Sequence, residues 1–273
     1  KIFKTNTIEA GLKYGLATGN WGIKSSNNKV GVAQVLSRLN YKSTLSHLRR
    51  INTPTEKTGK LIPPRKLHNT QWGFICCPET PEGGSVGLVK NLAISSFIST
   101  FTSIDPVIKS LKLDKNVSIF EEDPEILNLK DIINKTKIFV NGDWIGICIN
   151  SIEVFKKLKI NKRLGIINIY TSISFNYSLN EINIFTDSGR CIRPVFVVEN
   201  NNLTITKKDI EKVKNKQYNF KNLLVKSIPE NELFGDLQNI NNEPKEGVIE
   251  YVDTEELYNS MIAMNFKDLK NKK

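Results

Sequence analysis

Apolar residues recur at helical spacing along the first fifty residues. A helix over residues 2–16 is predicted by three of them, four positions apart: Ile8, Leu12 and Leu16. A second helix with one buried stripe is predicted by the i, i+3, i+4, i+7 spacing of Val32, Val35, Leu36 and Leu39. Leu45 and Leu48 predict a third, short helix, which presents Arg49 and Arg50 at its C-terminal end.

Apolar runs bounded by turn residues predict strands further along the chain. Residues 71–77 and 86–95 form two of them, because Pro-Glu-Thr-Pro-Glu-Gly-Gly between them fixes a turn that contains Glu79 and Glu82. In that turn, a positional role for Glu82 and a solvated or capping role for Glu79 are better supported than an acid–base pair. Three more strands are predicted in the second half: residues 166–173, 182–185 and 194–198.

Local turn and capping signals organise the rest of the chain. Asn141 and Gly142 favour a type I′ hairpin, and Asn150 with Glu153 three residues later indicates a helix start. Residues 247–253 read as a short strand that ends in a helix N-cap, followed by one helical face: Leu257, Met261 and Met264. Helices and strands mix without an internal repeat, so we predict an α+β chain of several small domains.

Composition places the chain among folded proteins. Its 273 residues are 39% hydrophobic, which suffices for two or three small cores. There is no apolar run near the ~20 residues of a membrane span and no secretory leader, so we expect an intracellular protein without a membrane partner. The first residue is Lys and helical spacing begins at once, so we expect a piece of something longer.

The charge is concentrated at one end of the chain. Residues 1–100 contain 14 Lys or Arg and 4 Asp or Glu, so they carry nearly all of the formal net charge of +11. Between residues 36 and 68 there are eight cations and a single acid, Glu56. A folded basic surface of this kind attracts nucleic acid, although a merely soluble lysine-rich surface has the same composition.

Metal and nucleophile chemistry find little support in the sequence. The four cysteines are too few and too scattered for a disulfide framework. Cys76 and Cys77 are adjacent, whereas two cysteines that bind one metal ion are usually separated by two residues. With only His47 and His68 in addition, no metal site is predicted.

Several ordered motifs then point to a family. They are ATGNWG, GVAQVL, STLSHLRRINTP, GKL followed by PRKLHNTQWG, and CPETPEGGSVGLVKNLA. Together they resemble the fork region of the second-largest, β-like subunit of multisubunit DNA-directed RNA polymerases, closest to the RNA polymerase II type and its relatives in large DNA viruses. IFVNGDWIG, IFTDSGRCIRPVFVVE and GVIEYVD resemble the two external domains that follow.

The resemblance implies a domain plan and a set of contact residues. Residues 1–22 would end a protrusion-like domain, 23–103 form the fork, 104–186 external domain 1 and 187–273 external domain 2. Arg65 and Glu82 would lie near the site of nucleotide addition. Positions beside the RNA–DNA hybrid or the downstream strand-separation point would contact nucleic acid: Gln34, Lys42, Arg49, Arg50, Lys57 and Lys60. Relatives often carry an acid where this chain has Thr58, so the resemblance leaves open whether Arg65 has an acidic partner.

The same resemblance implies a nucleotidyltransferase complex whose chemistry lies elsewhere. No catalytic residue is expected in this chain, which alone would be inactive. Mg²⁺ would be held by the largest subunit, and the zinc site of the full subunit would lie outside this sequence. Expected partners are the DNA template, the RNA transcript, the largest subunit and smaller subunits. The expected location is the nucleus, or the virion or infected-cell cytoplasm for a viral source. The alternative is a free-standing basic nucleic-acid-binding module.

Overall fold

The computed structural model describes residues 4–21, 31–53, 55, 61–121, 135–225 and 246–269. Helices and sheets are mixed throughout, which confirms the predicted α+β class. The chain divides into two compact units. Unit 1 comprises Lys1–His68 with Cys77–Leu92, and unit 2 comprises Asn69–Cys76 with Ala93–Lys273.

The described residues of unit 1 form two α-helices, short 3₁₀ turns and a short antiparallel strand pair. Its elements are α1 (Thr5–Thr18), α2 (Tyr41–Leu48), β1 (Arg50–Asn52) and β2 (Val89–Asn91). The side chain of Asn40 accepts a hydrogen bond from the Ser43 N–H and so caps α2. β1 pairs with β2 with Ile51 opposite Lys90, and the N–H of Leu92 donates to the Arg49 carbonyl. The first and third predicted helices are therefore confirmed.

The helix predicted over residues 32–39 is wrong. Residues 31–40 form turns and extended chain, beginning at Gly31 with φ of 74°. This segment is hydrogen-bonded to α2, because the Thr44 hydroxyl donates to the Ser37 carbonyl at 2.7 Å. Val35 and Leu39 are 94% and 88% exposed, so these two residues of the stripe cover no core among the described residues of unit 1. Helical spacing without a surface to pack on is insufficient to form a helix.

The strand predicted over residues 71–77 is also wrong. Of the strand predicted over residues 86–95, only β2 (Val89–Asn91) is observed. A 3₁₀ turn spans Asn69–Gln71, and the N–H groups of Phe74 and Ile75 donate back to the Gln71 carbonyl. Gly73 and Gly87 have φ of 82° and 71°, which interrupts extended chain at both places. β2 pairs with β1.

Unit 2 contains the larger core. Its elements in chain order are β3 (Phe97–Ile98), α3 (Asp105–Lys112), β4 (Val117–Ile119), β5 (Thr136–Val140), β6 (Asp143–Cys148), α4 (Ser151–Arg163), β7 (Ser172–Asn176), β8 (Glu181–Phe185), β9 (Cys191–Phe196), β10 (Val198–Glu199), β11 (Asn202–Leu203), α5 (Lys207–Lys214), α6 (Phe220–Leu224), β12 (Ile249–Asp253) and α7 (Thr254–Tyr258).

A five-stranded sheet carries this core. Its strand order is β4-β6-β5-β8-β7, with β5 and β8 parallel and the other neighbours antiparallel. The predicted hairpin between β5 and β6 is confirmed, since Asn141 and Gly142 have φ of 52° and 91°. Buried residues of α3, α4 and the sheet form one apolar cluster, which includes Val107, Leu111, Ile138, Val154, Leu158 and Ile184.

The capping signal before α4 is confirmed, but a neighbouring strand begins late. The Asn150 side chain accepts from the Glu153 N–H, as predicted. The strand predicted from residue 166 begins only at Ser172, because the N–H groups of Ile166 and Ile167 both donate to the carbonyl of Asn161 at the end of α4. The strand predicted over 182–185 is confirmed, and the one over 194–198 is observed earlier, as β9.

A second sheet has the order β12-β9-β3. β12 and its cap are confirmed, since the Asp253 side chain accepts from the Glu256 N–H. The longer helical face is wrong, because α7 ends at Tyr258 and leaves Met261 and Met264 exposed beyond it. The side chain of Asn259 donates to the Glu255 carbonyl and so satisfies a backbone acceptor at this helix end.

Ion pairs are buried where α4 meets β12 and α7. Lys162 and Glu256 are 2% and 1% exposed, and their charged atoms lie 3.4 Å apart. Lys159 pairs with both Glu250 and Glu256, and Arg163 Nε lies 3.2 Å from Glu250. Burial by itself raises the pKa of Glu250, but the neighbouring cations outweigh this and lower it to about 2. Burial lowers the pKa of Lys162 to about 7.

Candidate nucleic-acid interface

Cations lie at both ends of α2 in unit 1. Lys42 lies in the first turn of this helix and is exposed. Arg49 is the C-cap residue and Arg50 begins β1, where it pairs with Asn91. A basic residue at a helix C-terminus also suits the helix dipole, but Arg50 is held by the strand pair rather than by the helix. The β1–β2 pairing therefore fixes the backbone position from which the Arg50 side chain extends.

Gln34 is oriented by a chain of hydrogen bonds through His47. The Ser37 N–H donates to His47 Nδ1 at 3.0 Å, and a backbone N–H is always a donor. Nδ1 must therefore accept, which places the proton of the neutral ring on Nε2. That Nε2 lies 3.0 Å from Gln34 Oε1, while the amide nitrogen of Gln34 donates to the Gly31 carbonyl at 2.9 Å. Both ends of the Gln34 amide are thus held.

Arg65 is fastened to the turn that precedes β2. Its Nη1 donates to the carbonyl oxygens of Gly84 and Val86 at 2.7 and 3.0 Å. The turn approaches so closely that a Cβ on Gly87 would lie 2.3 Å from the Arg65 carbonyl oxygen. Gly87 also has a φ of 71°, so both space and backbone conformation require glycine. Arg65 thus binds backbone carbonyls of the turn, whereas position 58, which is Thr in this chain, lies outside the described residues.

Glu82 and Glu79 have different surroundings in the same turn. Glu82 precedes the 3₁₀ turn Gly83–Ser85 and is exposed, and its carboxylate has no partner among the described residues. Glu79 accepts a hydrogen bond from the Ser46 hydroxyl and so ties the turn to α2. Thr80 fixes the turn to β2, because its hydroxyl donates to the Val89 carbonyl at 2.9 Å and accepts from the Gly87 N–H.

Unit 1 therefore contains every predicted contact residue that the structure describes: Gln34, Lys42, Arg49, Arg50, Arg65 and Glu82. Lys57 and Lys60 lie outside the described residues. Lys42 and Arg50 are exposed, and neither forms an ion pair with a described residue. Exposed cations without an ion-pair partner among the described residues are available to bind phosphates.

Sequence reasoning missed the two side chains that hold this surface together. They are His47 and Thr80, neither of which stands in a motif that signals such a role. His47 and Gln34 are thirteen positions apart, and no periodic pattern links them. Within the described part of the chain, no three His, Cys, Asp or Glu side chains converge on a site for a metal ion. None of its helices combines the length and apolar character needed to cross a bilayer.

Comparison with known families gives three matches in chain order. Residues 34–98 match the family described as RNA polymerase Rpb2, domain 3. Residues 138–199 match domain 4 of the same protein, and residues 241–273 match domain 5. The first match contains every described predicted contact residue of unit 1.

Curated relatives agree over nearly the whole chain. RNA polymerase II subunit RPB2 of Encephalitozoon cuniculi is 42% identical over 268 residues, which cover 97% of this chain and 21% of the relative. RNA polymerase II subunit 2 of Arabidopsis thaliana is 40% identical over 97% of this chain and 21% of its own length. RNA polymerase subunit 2 of Acanthamoeba polyphaga mimivirus is 36% identical over 96% and 20%. The chain thus spans about a fifth of these relatives, and the similarity favours a polymerase subunit over a free-standing module.

Proposed function

Since the chain belongs to the family of the second-largest, Rpb2-type subunits of DNA-directed RNA polymerases, we propose that it works as part of such a subunit in template-directed RNA synthesis. In this role, unit 1 lines the RNA–DNA hybrid and the point where the downstream strands separate. The observation that carries the proposal is the coincidence of the domain 3 match with the exposed cations of unit 1.

The chemistry of the proposed contacts fits a polymerase that must accept every sequence. Lys42, Arg49 and Arg50 would bind backbone phosphates, because cations neutralise phosphate charge without reading bases. The amide of Gln34, held at both ends, would meet the hybrid in one fixed orientation. Contacts of this kind hold the product while leaving its sequence free to change.

Arg65 and Glu82 would act near nucleotide addition as positioning groups. Arg65 stabilises the turn through two backbone carbonyls, and the exposed Glu82 lies at the start of that turn. A rigid turn would therefore present Glu82 at a defined place. The groups that act on the reacting atoms would come from outside this chain, with Mg²⁺ held by the largest subunit. The chain alone would therefore be inactive.

The proposed partners follow from membership of a multisubunit enzyme. They are the DNA template, the transcript, the largest subunit and smaller subunits. The location would be the nucleus for a cellular source, or the virion or infected-cell cytoplasm for a large DNA virus.

Affinity purification tests the proposal. The polypeptide that carries this chain is tagged in its native source and purified under mild conditions, and the eluate is assayed for template-dependent incorporation of ribonucleotides. We expect equimolar recovery with a larger subunit and RNA synthesis that requires template. Recovery of the tagged polypeptide alone, without synthesis, would favour the free-standing module and contradict the proposal.

A further inference from the structure

A groove lies between α3 and α4 on the surface of unit 2. Its volume is about 320 Å³. The floor consists of three apolar side chains that belong to the core beneath: Leu111, Val154 and Leu158. Two apolar residues line it nearer to solvent, with Leu113 86% and Ile160 39% exposed. Four polar side chains complete the lining: Ser110, Asp114, Lys157 and Asn161. The exposed apolar side chains at the rim favour aliphatic groups over water.

Two polar contacts bridge the walls of the groove and fix their spacing. The amide nitrogen of Asn161 donates to the Ser110 hydroxyl at 2.8 Å, and Lys157 Nζ lies 3.3 Å from the Asp114 carboxylate. Ser110 and Asp114 are four residues apart along α3 and its C-terminal end, and their partners run in the opposite direction along α4. The two segments are therefore antiparallel, with cross-links about 6 Å apart. A preformed groove loses little entropy on binding.

Two exposed lysines lie beside the groove. Lys109 lies one helical turn before Leu113, and Lys156 lies one turn before Ile160, so each apolar lip has an exposed cation beside it. Neither lysine forms an ion pair with a described residue. The nearby acids are already engaged, because Lys157 pairs with Asp114 and also with Glu153 at 2.9 Å. Because the segments are antiparallel, the two free cations lie toward opposite ends of the groove.

We infer that this groove binds an acidic amphipathic helix from a protein partner. Aliphatic residues at i and i+4 of that helix fill the groove between Leu113 and Ile160, and carboxylates at either side meet Lys109 and Lys156. A helix laid in a groove with such spaced anchors is a common mode of protein recognition. The inference concerns a surface of unit 2 and does not depend on the proposed function.

Synthetic peptides test the inference with the full chain. The probe is a fluorescent helical peptide with leucines at i and i+4 and flanking glutamates, and its binding is measured by anisotropy. One control peptide carries lysines in place of the glutamates, and a second probe is a single-stranded oligonucleotide. We expect saturable binding of the acidic peptide only, weakened at least tenfold by Leu113→Ser with Ile160→Ser.

Charge reversal gives a second, independent variant. Lys109→Glu with Lys156→Glu alters only exposed side chains, so the fold is kept, and we expect at least tenfold weaker binding of the acidic peptide and new binding of the basic one. The matched control, Leu179→Ser with Lys207→Glu, changes an exposed leucine and an exposed lysine elsewhere and should bind like the parent chain. Three results would overturn the inference: no binding of the acidic peptide, equal binding by the groove variants, or displacement of the peptide by the oligonucleotide.

Discussion

Nε2 of His47 lies 3.0 Å from Oε1 of Gln34, and the same imidazole accepts the Ser37 N–H on its other nitrogen. The ring therefore acts as a fixed spacer between the backbone before α2 and a predicted contact residue. The role of His47 in this surface is thus one of orientation, and it can be tested without assigning the imidazole any proton transfer.

We predict that Gln34→Ala and His47→Ala are coupled. In the assembled polymerase, each variant should shorten transcript retention, and the double variant should cost less than the sum, with a coupling free energy of about 1 kcal/mol. Dissociation of labelled transcript from stalled complexes measures this. His47→Gln retains one of the two hydrogen bonds and should fall between the parent and His47→Ala. Fully additive losses would show that His47 does not act through Gln34.

Gly87 provides a test of the turn that holds Arg65. Gly87→Ala places a Cβ against the Arg65 carbonyl, so the close contact adds about 1–3 kcal/mol to the backbone cost of a positive φ. Gly83→Ala is the matched control, since its φ is 78° and nothing lies within 4 Å of a Cβ there. Hydrogen exchange of peptides covering β1 and β2 should accelerate far more for Gly87→Ala. Equal acceleration in both variants would contradict the close approach.

Acid should destabilise unit 2 through Glu250. The pKa of this carboxyl is about 2 in the fold, below its ordinary value of 4.5, because the attraction of Lys162, Lys159 and Arg163 outweighs the opposing effect of burial. The stabilisation is therefore fully present above pH 4.5 and is lost as the pH falls toward 2, with a total of about 3 kcal/mol. Urea unfolding across this range measures it.

Two variants separate Glu250 from other carboxylates. Glu250→Gln should lower stability at neutral pH, since it leaves buried cations uncompensated, and should flatten the acid dependence. Glu246→Gln alters a more exposed carboxyl that also faces Arg163 and should leave most of the dependence intact. An unchanged acid profile in Glu250→Gln would exclude this carboxylate as its source.

The cations at the end of α2 should affect the salt dependence of transcript retention. Replacing Arg49 and Arg50 by Ala removes two proposed phosphate contacts, so the slope of log affinity against log salt should become shallower by roughly 1.4–1.8. Lys207→Ala with Lys208→Ala, on exposed positions of α5, should leave the slope unchanged. Parallel slopes for parent and Arg49→Ala with Arg50→Ala would exclude phosphate contact by these arginines.

The sequence predicts those parts of the fold that depend on neighbouring residues. Asn150 with Glu153 and Asp253 with Glu256 are caps that form within three residues, and the Asn141–Gly142 turn needs only its own backbone preference. Tertiary context decides the rest. In the stripe that begins at Val32, Val35 and Leu39 are exposed and cover no core among the described residues, so the spacing does not yield a helix.

The candidate site follows the same division. Charge density and motif resemblance identify the surface, because both are properties of a continuous stretch of sequence. The orientation of Gln34 by His47 and the attachment of Arg65 to Gly84 require contacts across 13 and 19 positions. The partners of Glu250 lie up to 91 positions away along the chain. Only the folded structure shows that such side chains meet.

Photo-crosslinking in a transcribing complex tests the central claim most directly. A photoreactive amino acid replaces Arg50 in the assembled polymerase, and Lys208 is replaced in a matched control. With labelled transcript and template, we predict that position 50 crosslinks to nucleic acid and that position 208 does not. Crosslinks from position 50 to protein alone, or equal nucleic-acid labelling at both positions, would contradict the assignment of unit 1 to the hybrid.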